Sequence, residues 1–524
     1  MPKTYIRNPV TGKFVESGSM PIDSSLKVSG VAADAKAVGD AVKSFSEQIA
    51  DLSVYVTPEM FGAKGDGVTD DSEAIQNAVD SLSDGGTLLF NKTDSYYKLN
   101  KMVRIMNKNR VKIINGKFDN SDNTSQVGFL VHNCDTVFFE NCEFYKGQQL
   151  ILLQTCSNIF VDKCTFIETG YCIIQQNGYV SNNVNITNNR AFNTRNDFVE
   201  CNCEVDAPSE NWVITGNIYK RDLTDIESEA LECRFFGATE CKNIVISNNL
   251  VEGARGDSAI HFEDCGDNVI VSNNIVRNCN GYGYIAFMTS RKVLIANNVF
   301  ENETELNDVP FIFATYSDLA TSRDDVDKIV IKGNVFNGNK MQSEPLHVYS
   351  LEDDIIVDEN TFNDIDIMFK ESRLKHLTFR NNNVHCNKFI EHISNPELQN
   401  IYIQDAFFAN NKIYGTTVIT KNYNGVRCER LKFSNNIFYN DVSITEVENC
   451  IFNDNMLAEG KTLFFDATAY WSKYMYAYNN FSVNGGKLND VGANGEGYVW
   501  TEDNKAEIVQ VVLSALPTWE GGNY

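Results

Sequence analysis

One short pattern governs this chain. The motif apolar-x-apolar-x-Asn-[Asn/Gly/Cys]-x-apolar returns from Val111 onward. It reads VKIINGKF (111–118), VFFENCEF (137–144), IFVDKCTF (159–166), WVITGNIY (212–219), IVISNNLV (244–251), VIVSNNIV (269–276), VLIANNVF (293–300), IVIKGNVF (329–336), IIVDENTF (355–362), LTFRNNNV (377–384) and LKFSNNIF (431–438). Two weaker copies are VNITNNRAF (184–192) and IYIQDAFF (401–408). Taken at the sixth position, from Gly116 to Asn436, these 13 copies span 320 residues, a mean period near 27 with intervals of 22 to 36. Alternation with period two inside each copy means strands, and a fixed period means one strand-bearing coil per repeat. The arrangement that buries every copy is a parallel β-helix, an all-β solenoid of about 13 or more coils and roughly 60 Å long at about 4.8 Å per coil. Asparagine at the bend can then stack on the next coil's asparagine and hydrogen-bond along the axis.

A solenoid has two raw ends that need covering. Ahead of the first coil, VTPEMFGAKGDGVTDDSEAIQNAVDSLSDGGTLLF (56–90) combines turn glycines with an apolar stripe at Ile75, Ala78, Val79 and Leu82. Helical spacing of that stripe predicts a capping helix over 70–83, with Asp70 as its N-cap and Glu73 completing a capping-box pair. Turn and cap chemistry accounts for the aspartates, and the segment gathers too few ligands for a metal site. Further upstream, Val31, Ala35, Val38, Val42, Phe45, Ile49 and Leu52 form a heptad seam of about three heptads. The chain thus divides into an adaptor or attachment segment (1–30), a coiled-coil-like helix (31–53), the β-helix (54–484) and a C-terminal helix module (485–524).

Composition narrows the partners. A formal net charge of −25 excludes a basic nucleic-acid footprint and argues against a membrane surface. No secretory h-region or apolar stretch of about 20 residues is present, so a soluble protein made in the cytosol is expected. The 14 cysteines lack paired zinc spacing, and many recur at the same place in the repeat, as in ENCEF, DKCTF and ENCIF. They are expected to be reduced, buried and stacked as small hydrophobes, with no metal and no cofactor.

The run FGAKGDGVTDDSEAIQNAV closely resembles the opening motif of pectate-lyase-superfamily right-handed β-helix proteins, in which Gly-Asp-Gly-x-x-Asp-Asp precedes the N-terminal capping helix. An adaptor and short helix ahead of it, with a long β-helix and a small module behind, resemble a bacteriophage tailspike or tail fibre subunit. The resemblance covers about residues 56 to 480. The proline-glycine usual after the next strand is replaced by FNKTDSYYKL, which bears on the geometry of the first turn. The resemblance implies a homotrimer carried on the phage tail by its N-terminus, assembled in the host cytoplasm, that binds and often cleaves a host surface polysaccharide.

Candidate site residues follow from the strand just upstream of each motif strand. Successive copies read DFVECNCE (197–204), EALECRFF (229–236), SAIHFEDC (258–265), YIAFMTS (284–290), FIFATYS (311–317) and PLHVYSL (345–351). Pointing Val199/Cys201, Leu231/Cys233, Ile260/Phe262, Ile285/Phe287, Phe311/Phe313 and Leu346/Val348 inward leaves two outward columns. One holds Glu200, Glu232, His261, Ala286, Ile312 and His347, the other Asn202, Arg234, Glu263, Met288, Ala314 and Tyr349. Three adjoining coils then carry three glutamates, a histidine and an arginine. Glu200 and Glu232 would lie about 5 Å apart and Glu232 and Glu263 about 8 Å apart, spacings suited to retaining and inverting glycoside hydrolysis respectively. Glu232 with Glu263 is the favoured catalytic pair, with Glu200 beside it. Arg234, His261, Asn202, Asp257, Tyr282, Tyr284, Tyr316 and Tyr349 are the substrate-binding candidates. The mostly acidic cluster points to hydrolysis rather than elimination. A non-catalytic glycan adhesin or a structural tail protein is the competing reading, since outward Glu and Arg columns also form plain cross-coil ion pairs.

Overall fold

The computed structural model describes residues 55–491 except 92–93, 223–232, 257, 291, 304–308, 316–327, 349–353, 370–373, 393–402, 420–427, 446, 467–472 and 483–486, together with a few short strands outside that range. Successive turns of chain stack in register through parallel pairings, and buried apolar side chains fill the interior from Ala63 to Ala477. The molecule is a parallel β-helix with three sheets. The repeat strands, such as Asp135–Glu140, Cys156–Asp162 and Lys242–Ser247, form one sheet, and the short strands that follow them, such as Glu143–Tyr145 and Leu250–Glu252, form the second. The third, termed the site sheet, has ten strands: Val103–Met106, Val127–His132, Gln149–Gln154, Tyr171–Gln175, Val199–Asn202, Phe236–Thr239, Ser258–Glu263, Gly283–Met288, Ile312–Thr315 and Leu346–Val348.

The repeat works through two adjacent positions. Its fifth residue takes a left-handed backbone at the corner, as at Asn188 (φ 56), Asn248 (φ 57), Asn297 (φ 56) and Asn435 (φ 57). Asparagine and glycine tolerate that conformation best. The sixth residue turns inward. Asn189, Asn217, Asn249, Asn274, Asn298, Asn334, Asn360, Asn382, Asn411, Asn436 and Asn455 are at most 3% exposed and form one continuous ladder that ends on Asn480. At each rung the carboxamide oxygen of the next coil accepts both the backbone N–H and the Nδ2 of the preceding asparagine, as Asn274 Oδ1 does from Asn249 at 3.0 and 2.9 Å. The same Nδ2 also donates to a strand carbonyl, Ile214 in this case, at 3.0 Å. Every buried amide in the stack is thereby paired, as a dry interior requires. Cys142 and Cys164 hold the sixth position in the first coils, and Cys164 N joins the ladder by donating to Asn189 Oδ1 at 2.8 Å.

The ladder corrects two details of the repeat. The weak copy is AFFANNKI at 406–413, five residues later than IYIQDAFF, because Ala406 pairs with Leu431 and Asn411 is the rung. In ENCIF the cysteine is an inward strand residue, Cys450 pairing with Leu431, whereas the cysteines of ENCEF and DKCTF sit at the sixth position. All 14 cysteines are free thiols and 13 are buried.

Helix α1 (Ser72–Ser81) covers the open N-terminal edge. Its Gln76 side chain supplies what a neighbouring strand would: Oε1 accepts Arg104 N at 2.7 Å and Nε2 donates to Arg104 O at 3.0 Å. Ser72 Oγ accepts Asn100 N and Lys101 N at 2.9 and 3.0 Å. The helix is shorter than 70–83. Its N-cap is Asp71 rather than Asp70, with no side-chain cap bond. The Asp71 carboxylate instead faces back into the glycine loop, accepting Lys64 N and Gly65 N at 2.6 and 3.0 Å. Asp66 accepts Val68 N and Thr69 N, and those bonds hold its carboxyl down at about 2. The acidic run is a folded turn. Parallel strands at Lys487–Val491 and Tyr498–Val499 carry the sheets past residue 484. The heptad seam beyond Ala33 and the helix expected after 500 lie outside the described residues.

Candidate active site

Strand pairing fixes the outward face of the site sheet. Glu200 pairs with Gly237, Gly237 with His261, His261 with Ala286, Ala286 with Phe313 and Phe313 with His347. The flanking column is Asn202, Thr239, Glu263, Met288 and Thr315. Glu200, His261, Asn202 and Glu263 therefore stand on the outward face, as the sequence alternation requires.

The coil between Glu200 and His261 differs from expectation. Its strand is Phe236–Thr239, and Cys233 forms an antiparallel bridge to Arg255 instead of opening a parallel strand. Gly237, not residue 232, occupies the column. Glu232 itself lies outside the described residues, as do Asp257, Tyr316 and Tyr349. One coil was also read a residue out of step: Ile312 and Ala314 point inward, opposite Ile285 and Phe287, and Phe313 points outward. Tyr284 is a correction of a different kind. It is fully buried, its hydroxyl donates to Glu301 O at 3.1 Å, and its ring meets Phe311 edge-on at 5.0 Å, so it belongs to the core.

Gly237 leaves room for a side chain arriving from just before its strand. A Cβ on Gly237 would stand 3.0 Å from Arg234 Cζ and Nε, so the guanidinium lies over the glycine. Arg234 donates from its backbone N and from Nε to the two oxygens of Asp197, at 3.0 and 2.9 Å, and its NH2 nitrogen is 3.9 Å from Glu200 Oε1. Asn202 Nδ2 donates to that same Glu200 oxygen at 2.5 Å. Asp197 is fully buried. Burial pushes its carboxyl up to about 7, against the pull of Arg234, and the nearby Glu200 adds to the rise. Further along, Ala286 is fully buried, and Tyr282, 59% exposed, stacks on Phe313 at 5.9 Å. Phe313 in turn stacks on His347 at 5.5 Å, and His347 Nδ1 is 2.6 Å from Glu344 Oε2.

Along the axis the face therefore carries a carboxylate (Glu200), a guanidinium (Arg234) and an imidazole (His261), all three buried, and an exposed aromatic ring (Tyr282). Glu263 lies beside His261, its Oε2 4.0 Å from His261 Nε2. Two coil spacings and two strand residues put the Cα atoms of Glu200 and Glu263 about 12 Å apart. Asp197 has no place in the outward columns read from the sequence. The signal for it is the Asp-Phe-Val opening of its own coil, an acid directly ahead of two core residues. Among the described residues no group of three or more His, Cys, Asp or Glu side chains is arranged to hold a metal ion.

Comparison with known proteins agrees with this architecture. Residues 77–218 match the family described as right handed beta helix region. A capsule-specific depolymerase of Klebsiella phage K64-1 is 51% identical over 55 residues, 10% of this chain and 7% of that protein. The capsule-specific depolymerase 1 of Klebsiella phage KN3-1 is 36% identical over 105 residues, 19% of this chain and 13% of that protein. The aligned stretches thus span about a tenth of these relatives' length. Among solved structures, the tailspike protein of E. coli bacteriophage HK620 in complex with a pentasaccharide aligns over 86% of this chain and 81% of that chain, at 12% identity and a TM-score of 0.38. The chain is a right-handed parallel β-helix protein with local sequence kinship to phage capsule depolymerases.

Proposed function

We propose that this chain is a phage tailspike subunit that binds a bacterial capsular polysaccharide on the outward face of the site sheet and cuts it by glycoside hydrolysis. The observation that carries the reading is the run of Glu200, Arg234, His261 and Glu263 on one face, next to the exposed ring of Tyr282. Local identity to capsule depolymerases supports the substrate class. Glu200 and Glu263 are the carboxylate pair. Their wide separation leaves room for a water between carboxylate and sugar, which suits inversion at the anomeric carbon, one group delivering a proton to the leaving oxygen and the other activating the water. Arg234 and Asn202 hold Glu200 in place, and Tyr282 offers a ring face to a sugar. The N-terminal segment would attach the chain to the phage tail, and a trimer would present three such faces to the host.

The test incubates the purified protein with capsular polysaccharides from a panel of Klebsiella strains, following reducing ends, the ultraviolet absorbance of unsaturated products and the anomeric configuration released. New reducing ends of inverted configuration, without absorbance, are expected. Absorbance would replace hydrolysis by elimination, and binding without any product across the panel would make the protein an adhesin.

A further inference from the structure

We infer that Asp197, a residue buried beneath the outward face, positions Arg234 against Glu200 and that Gly237 is the notch that admits the arginine. The inference rests on the hydrolytic reading of this face and adds two residues to it. Asp197 takes no part in the strand column, yet both of its oxygens are committed to Arg234, one to the backbone N–H and one to Nε. That grip fixes the near edge of the guanidinium plane and leaves the far edge directed at Glu200, 3.9 Å away. Arginine suits this task because its planar fork transmits orientation, whereas a lysine in the same place would be a mobile point charge. Gly237 is required because a methyl group there would meet Arg234 Cζ and Nε at 3.0 Å and Asp197 Oδ2 at 3.1 Å, closer than ordinary packing allows. The glycine's neighbours in the column, Glu200 and His261, then face one another across an arginine supplied by the loop.

If Asp197 acts through Arg234, it is a positioning residue, and its loss must be felt at turnover more than at binding. A methyl group at Gly237 makes the guanidinium give way by a few tenths of an ångström, so Gly237→Ala is expected to lower kcat about 10-fold, with KM changed less than about 3-fold. Because that variant could also fold poorly, chemical rescue supplies a second readout. Arg234→Ala is expected to regain activity when low millimolar guanidinium is added, the ion occupying the vacated place beside Asp197. The double variant Arg234→Ala with Asp197→Asn is expected to regain at least 10-fold less. Equal rescue in both backgrounds, or a fully active Gly237→Ala protein, would overturn the positioning role while leaving the hydrolase intact. Wild-type protein that cuts no capsule at all would remove both.

Discussion

Replacing Asn298 by alanine tests the ladder where it is most regular. The side chain makes four hydrogen bonds: Oδ1 accepts Asn274 N and Nδ2, both at 2.9 Å, and Nδ2 donates to Val271 O at 2.9 Å and to Asn334 Oδ1 at 3.0 Å. Two neighbours retain partners afterwards, since Asn274 Nδ2 still reaches Ile246 O and Asn334 Oδ1 still accepts Asn298 N. The Asn274 backbone N–H loses the acceptor described here in a region only 1% exposed. Three of the bonds contribute about 1 kcal/mol each and the orphaned buried donor costs about 1–3 kcal/mol, so the substitution should destabilise the protein by about 4–6 kcal/mol. The matched control is Asn297→Ala, one residue earlier, where the exposed corner residue has φ 56 and only the left-handed backbone preference, about 1–2 kcal/mol, is at stake. Urea unfolding followed by tryptophan fluorescence, with Trp212 fully buried, reports both midpoints. A loss at Asn298 no larger than at Asn297 would refute the claim that the ladder holds the coils together.

Three further outcomes follow. Because burial raises the Asp197 carboxyl from 3.8 to about 7 in the folded protein, its contribution to stability is greatest at low pH and is lost as pH rises from about 4 to about 7; Asp197→Asn should flatten that slope in thermal melts, and an unchanged slope would contradict the assignment. A thiol reagent should modify the native protein slowly at the 13 buried cysteines, with half-buried Cys386 reacting first, and all 14 after denaturation, since burial pushes thiols such as Cys156 up to about 11; fast native labelling at several sites would contradict the reduced core. Tyr282→Ala should weaken glycan binding with an unchanged melting temperature, whereas Tyr284→Ala should lower the melting temperature by removing a fully buried ring; equal effects on binding would show that exposure does not separate their roles.

The solenoid was legible because its corner chemistry is local. A left-handed residue followed by an inward amide needs Asn, Gly or Cys at two fixed places, and that pair survives loops of any length. Where the pair was weakly flanked, at 401–408, the count slipped by five residues, and the copies CIFNDNML (450–457) and MYAYNNFS (475–482), whose Asn455 and Asn480 are rungs, went uncounted. The site sheet was harder to read for a physical reason. Its coils enter with two consecutive buried residues, Phe198–Val199, Phe235–Phe236, Ala259–Ile260, Tyr284–Ile285 and Phe311–Ile312, of which the first packs at the corner and the second begins the inward alternation. Counting parity from the first of a pair turns the whole strand over. A count begun at Phe311 puts Phe313 inward, and one begun at Leu231 or Phe235 misses the strand that Phe236–Thr239 provides. Arg234 and Tyr282 reach the face by folding over Gly237 and towards Phe313, an arrangement that strand periodicity does not encode.

The measurement that bears most directly on the account is the turnover of Glu200→Gln set beside its glycan affinity, on a capsule the wild-type protein degrades. Glu200 stands on the outward column between Asn202 and Arg234, and the change to glutamine keeps its size while removing its charge. The account predicts a fall in kcat of roughly 100-fold or more with Kd within about 3-fold of wild type. A variant that turns over at the wild-type rate would contradict the assignment of the cutting chemistry to this face.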